Sequence, residues 1–162
     1  MIAGVAVKNL VRHQDERGFF EEMIRVTDTF FTEGFGQVSH SYMLPGVVKA
    51  WHVHKTQVDW WYVVQGLIKV ALYDKREKSN TYKELNEFII GSKEGKNKII
   101  KVPPGVAHGL KVMEGPADLV YVTSGIYSKG EEGRIPYDDP DIGYDWVQGM
   151  PITNKDITLH KI

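Results

Sequence analysis

The sequence contains no cysteine. Disulfide staples, thiolate nucleophiles and cysteine-based zinc or iron–sulfur sites are therefore excluded together. Long hydrophobic runs are missing too. Apolar stretches are short and interrupted by charge, so no segment is expected to span a membrane. There is almost no charge excess: 20 Lys and Arg stand against 21 Asp and Glu, for a net charge of −1. Without a positive field to hold a phosphate backbone, nucleic acid is not an expected partner. Sustained helical periodicity is scarce. Residues 1–10 lack the charged start and long apolar core of a secretory signal, so the expected location is cytoplasmic.

What is present is a chain of 162 residues with 42% hydrophobic and 25% charged residues, the ordinary balance of a globular protein and a length that suits one domain over 1–162. Short runs rich in Val, Ile, Tyr and Trp recur between Gly, Pro, Asn and Asp, the pattern of many short strands. Strands are expected at residues 19–26, 37–44, 48–54, 60–64, 67–74, 99–102, 109–112, 119–124 and 126–128. Turns are expected at Pro45-Gly46, Gln65-Gly66, Pro103-Pro104-Gly105 and Gly115-Pro116. One short helix is expected over residues 27–33, capped by Thr27 or Asp28. The charged stretch 74–97 suits a hairpin or loop excursion. The irregular end carries Pro136, Pro140, Gly143, Gly149 and Pro151, and its aromatics Tyr137, Tyr144 and Trp146 favour packing over a tail that frays. Evenly spaced strands point to an all-β closed barrel or jelly roll, whose alternating side chains leave room for one ligand inside.

The densest chemistry lies in Lys49-Ala50-Trp51-His52-Val53-His54. On a regular strand Ala50, His52 and His54 share one face, and Trp51 and Val53 take the other. Paired histidines on one face serve as metal ligands, as polar lining of a cavity, or as residues of an exposed strand. Gly46 precedes His52 by six residues, Asp59 follows His54 by five, and Gly66 closes the stretch. Pro103-Pro104-Gly105-Val106-Ala107-His108 comes later. Together these resemble the two motifs of the cupin superfamily, with Asp59 where cupins carry Glu. The resemblance implies a double-stranded β-helix, the jelly-roll barrel that the strand pattern also suggests.

A sharper resemblance covers nearly the whole chain. Asp15-Glu16-Arg17-Gly18-Phe19-Phe20-Glu21-Glu22 is similar to the opening motif of the dTDP-4-dehydrorhamnose 3,5-epimerase family, as are Gln37-Val38-Ser39-His40-Ser41 and Val48-Lys49-Ala50-Trp51-His52. Gln57 and Gly66, the stretch 102–110, Tyr121 and Tyr127, Glu132, Asp138-Asp139-Pro140 and Thr153-Asn154-Lys155-Asp156 follow in register. The resemblance implies an isomerase that epimerises C3, C5 or both of a nucleoside-diphosphate 4-keto-6-deoxy sugar without an organic cofactor. Such chemistry needs a base for the α-proton, a stabiliser for the enolate and an acid on the other face. The family match makes His52 the base, Asp156 its orienting partner and Tyr121 the acid. It places Arg17, Phe19, Glu22, Gln37, Lys49, His54, Asp59, His108, Tyr127 and Glu132 around the substrate. Arg17 would reach the nucleotide or its diphosphate across a dimer interface. A homodimer is expected from the resemblance, from the Arg17 strand and from the 11% aromatic content.

Two departures from the family pattern stand out. The family carries a lysine two residues after the glutamine matched by Gln57, where this chain has Asp59. It carries Gln where this chain has His54. Both changes recreate a metal-cupin set of His52, His54, Asp59 and His108. A metal on His52 would prevent that residue from acting as the free base. The metal-free epimerase site is preferred, because Asp156 and Tyr121 are both kept. A metal-dependent cupin enzyme and a non-catalytic sugar-binding cupin are the alternatives.

Overall fold

The computed structural model describes residues 1–148. Ten strands run through them: β1 (Ala6–Asn9), β2 (Arg12–Asp15), β3 (Gly18–Glu21), β4 (Gln37–Met43), β5 (Val48–His54), β6 (Asp59–Asp74), β7 (Leu85–Gly91), β8 (Lys98–Val102), β9 (Val106–Thr123) and β10 (Glu132–Arg134). β2 and β3 form a separate hairpin, and the other eight make one antiparallel system.

The barrel is organised by β6 and β9. They pair over nearly their whole length, from Asp59 opposite Thr123 to Asp74 opposite Val106. Early β6 also pairs with β8 and late β6 with β7, while early β9 pairs with β5 and late β9 with β4. Each long strand thus serves both walls of a jelly roll. Register shifts between Val63 and Ile68 break the ladder where the pair changes wall. Gly66 sits there at φ 86°, and a Cβ on it would lie 2.7 Å from the Glu114 carbonyl oxygen. Only glycine fits both the conformation and the space. The turns expected at Gln65-Gly66 and Gly115-Pro116 are therefore irregularities inside continuous strands, because both walls keep pairing through them.

Alternation along late β6 sends Ile68, Val70 and Leu72 into the barrel, where they pack with Ile90, Ile100, Leu110, Val112 and Leu119. The intervening Ala71 and Tyr73 face outward but are also buried, against Val48, Trp51, Ile142 and Trp146. Residues 142–146 cover that face. Trp146 is 1% exposed, and its ring lies 5.0 Å from Trp51 and 4.5 Å from Tyr144. Lys111, fully buried beneath it, donates to the carbonyls of Trp146 (2.8 Å) and Val147 (3.3 Å).

Some expected elements differ. No helix is found among the described residues; residues 27–33 form turns. The Asp28 carboxylate accepts the Arg25 N–H at 2.8 Å and Lys8 Nζ at 2.7 Å, so it closes a turn behind itself and caps nothing ahead. Phe30 and Phe31 pack on the cluster around Trp60. Residues 126–128 are not a strand, and the 74–97 excursion contains a full strand, β7. No helix here is long and apolar enough to cross a membrane.

Candidate active site

A cavity of about 610 Å³ opens on one side of the barrel. It is walled by β4, β5, β6, β9 and the segment around β10. β5 enters it irregularly. Lys49 lies opposite Leu110 and His52 opposite His108, so three steps on β5 match two on β9. This one-residue bulge overrides the expected alternation. Lys49, His52 and His54 line the cavity, while Ala50 and Trp51 turn together into the cluster behind it. Lys49 Nζ donates to Ser41 Oγ at 2.6 Å, and burial draws its pKa below the usual lysine range.

β10 supplies the partner of His52. It pairs with β5 so that Glu132 lies opposite His54 and Arg134 opposite His52. The Glu132 carboxylate lies 2.7 Å from His52 Nδ1, and Arg134 Nε is 3.3 Å from the same oxygen. The His52 contact, against the opposing effect of burial, draws Glu132 down to about 2. A carboxylate on Nδ1 leaves Nε2 as the histidine nitrogen to exchange a proton with a ligand. Tyr121, on β9 opposite Ser39, lines the same cavity, and burial raises its phenol above the ordinary value. Gln37 bridges two neighbours, donating to Ser39 Oγ at 2.8 Å and accepting the Tyr127 N–H at 3.0 Å.

Asp59, 3% exposed, forms a second centre. Its Oδ1 accepts Gln57 Nε2 at 2.8 Å and its Oδ2 accepts Trp61 Nε1 at 3.2 Å. Oδ2 also faces His54 Nε2 at 3.8 Å and His108 Nε2 at 3.9 Å. The His108 ring is fixed by Nδ1 on the Val106 carbonyl at 3.1 Å, and burial pushes its pKa down to about 4. His54, Asp59 and His108 each bring one ligand atom to within 4.8 Å of the others; His52 is not in this group. Two imidazoles and a carboxylate are a donor set for a first-row divalent ion.

Of the residues expected at the site, the structure gathers His52, Tyr121, Gln37, Lys49, His54, Asp59, His108, Tyr127 and Glu132 around one cavity. It does not bring Arg17, Phe19 or Glu22 there. Arg17 pairs with Asp15 at the tip of the β2–β3 hairpin, Arg12 stacks on the Phe19 ring at 3.7 Å, and Glu22 pairs with Arg25. Asp156 lies outside the described residues. Sequence reasoning passes over Arg134 and Glu131, which also line the cavity, beside Ser41 of the Gln37–Ser41 motif. The three-residue run Glu132-Gly133-Arg134 carries no strand signal of its own.

The family model described as dTDP-4-dehydrorhamnose 3,5-epimerase matches residues 1–162. The chain belongs to this family. It is thus one of a family of isomerases. It is similar to the spore coat polysaccharide biosynthesis protein SpsL of Bacillus subtilis (strain 168), 44% identical over 149 residues, 90% of this chain and 97% of that protein. The solved dTDP sugar isomerase from Desulfovibrio desulfuricans G20 superposes with a TM-score of 0.85 at 30% identity, covering 91% of this chain and 94% of that one. The dTDP-6-deoxy-D-glucose-3,5-epimerase of Legionella pneumophila Philadelphia 1, solved in complex with dTDP-4-keto-L-rhamnose, superposes with a TM-score of 0.84 at 26% identity over 98% of this chain and 90% of that one. The epimerase-family jelly roll expected from the motifs is the fold found.

Proposed function

We propose that the chain epimerises C3, C5 or both of a nucleoside-diphosphate 4-keto-6-deoxy sugar, with His52 as base and Tyr121 as acid. The observation that carries this reading is the 2.7 Å contact between Glu132 and His52 Nδ1 at the wall of a cavity that Tyr121 also lines. Glu132 orients the ring and stabilises the imidazolium that forms when Nε2 takes the α-proton, the service a carboxylate gives a histidine in other proton-transfer sites. Tyr121, kept protonated by burial, then delivers a proton to the carbanion. A cavity of about 610 Å³ suits a ligand of this size. The complex of the Legionella relative supports the substrate class.

Arg17, Phe19 and Glu22 fit the same proposal if the hairpin serves another subunit. Phe19 and Phe20 are 54% and 63% exposed on a two-stranded hairpin, so a second copy of the chain has an apolar tip to cover. A homodimer in the cytoplasm is part of this reading; light scattering and cell fractionation check the two points.

The test is solvent deuterium exchange into a dTDP-4-keto-6-deoxy sugar, followed by NMR. Wild type exchanges the α-protons, His52→Ala loses exchange, and Tyr121→Phe exchanges while forming little epimer. Full epimerisation by both variants refutes the assignment.

A further inference from the structure

The geometry points to a divalent transition-metal site on His54, Asp59 and His108, separate from the His52–Glu132 pair but in the same cavity. The role given below to the ion rests on the epimerase reading; its binding does not.

Three observations carry the site. The first is spacing. Asp59 Oδ2 stands 3.8 Å from His54 Nε2 and 3.9 Å from His108 Nε2, too far for hydrogen bonds. Two ligand atoms bound about 2.0–2.2 Å from one ion stand about 3–4 Å apart, depending on the angle. Asp59 thus approaches both imidazoles at the separation of ligands around a common ion, with no hydrogen bond between it and either ring.

The second is the surrounding hydrogen bonds. The Val106 carbonyl takes the proton of His108 Nδ1, leaving Nε2 as a bare lone pair towards Asp59. Gln57 holds Asp59 Oδ1 at 2.8 Å, so the other oxygen points at the two rings. Metal-ligating histidines and carboxylates are held in this way, by a carbonyl or amide on the atom that does not bind. His54 is the least satisfied member: Nδ1 is buried without a hydrogen-bond partner, and Nε2 has only the Gln57 amide nitrogen at 3.4 Å.

The third is charge. Asp59 is 3% exposed, and both its hydrogen-bond donors, the Gln57 amide and the Trp61 indole, are neutral. A buried carboxylate calls for a cation. Among the described residues no lysine or arginine stands within hydrogen-bond distance of it.

The division between the two centres removes a conflict. A metal that took His52 would cost the enzyme its base. Here Glu132 occupies His52 Nδ1, and the ligand cluster forms without that residue. Two imidazoles and one carboxylate favour Zn²⁺, Fe²⁺, Mn²⁺ or Co²⁺ and leave coordination positions open to a ligand in the cavity. On the epimerase reading, the ion is the electrophile for the C4 oxygen of the 4-keto sugar. It supplies positive charge at the position where the family carries a lysine and where a bare aspartate would repel the enolate.

The experiment uses untagged full-length protein, stripped with chelator and titrated with Zn²⁺ by calorimetry, with the visible bands of bound Co²⁺ as a second readout. Wild type binds one equivalent. Asp59→Asn and His54→Gln each weaken Zn²⁺ at least about 100-fold, since even loss of an outer-shell partner costs 10–100-fold. His52→Ala binds within about threefold of wild type. Circular dichroism confirms the fold of each variant; if Asp59→Asn misfolds, His54→Gln, on the less buried residue, decides. The proposal is overturned if wild type shows no saturable binding, if both ligand variants bind normally, or if His52→Ala loses the ion equally. Binding without solvent exchange into any dTDP-4-keto sugar refutes the epimerase reading and leaves the site. Exchange without binding refutes the site and leaves the epimerase reading.

Discussion

Replacing Glu132 by Gln tests whether this residue acts through His52 or on the substrate directly. The carboxyl is drawn from 4.5 to about 2, mainly by its bond to His52, with smaller pulls from Arg134 and His54. At 1.36 kcal/mol per factor of ten, a displacement of that size corresponds to about 3 kcal/mol. Arg134 and His54 carry part of it, so about 2 kcal/mol falls to the His52 pair. Expressed in full in the proton-transfer transition state, 2 kcal/mol is about 30-fold in rate. Glu132→Gln should therefore lower the kcat for solvent exchange by about 30-fold and leave KM within about twofold. If Glu132 instead gripped the substrate equally in the ground and transition states, the change would raise KM and spare kcat. The sign of the stability effect is fixed as well. A carboxylate whose folded pKa is depressed contributes fully above its ordinary 4.5 and loses that contribution as pH falls towards about 2. In urea melts, the gap between wild type and variant should be open at pH 7 and should narrow below pH 4.5. Unchanged kcat with raised KM, or a gap that widens in acid, refutes the reasoning.

Trp146→Ala should cost about 3–5 kcal/mol, because the indole is 1% exposed and packs on Trp51 and Tyr144; chemical denaturation measures it, and a loss below about 1 kcal/mol would mean that the segment around Trp146 does not seal the barrel. Light scattering should give twice the chain mass for wild type. Phe19→Ser with Phe20→Ser, on the exposed hairpin tip, should shift the mass towards that of one chain, and a dimer unaffected by both changes would place the interface elsewhere.

The legible parts of the sequence are those where local pattern and tertiary role coincide. β5 begins and ends where its Val- and Trp-rich run does, and the site histidines are recognisable from spacing alone. Other features depend on partners distant in sequence. β10 is a strand only because the edge of β5 offers it hydrogen bonds, so nothing local to Glu132 reveals that its contact is His52. Gly66 resembles a turn, because a glycine between two apolar runs gives the same local signal whether the chain reverses or only changes wall. Asp28 resembles a helix cap until its carboxylate finds Arg25 and Lys8. Period-two counting fails at Ala50, because a bulge is visible only in the register of two strands.

That bulge has a consequence for how the pocket diversifies. In a regular strand, exchanging one side chain for another changes chemistry at a fixed address. Here the addresses themselves depend on one surplus residue between Lys49 and His52. Deleting it would leave both Lys49 and His52 in the pocket, because two residues apart on a regular strand they share a face. Straightening the strand with every residue kept would instead turn Lys49 to the far side and bring Ala50 round beside His52. The surplus residue thus lets a lysine and a histidine three positions apart share one wall. A sequence with the same spacing but no bulge would present a different functional group to the ligand, without any substitution.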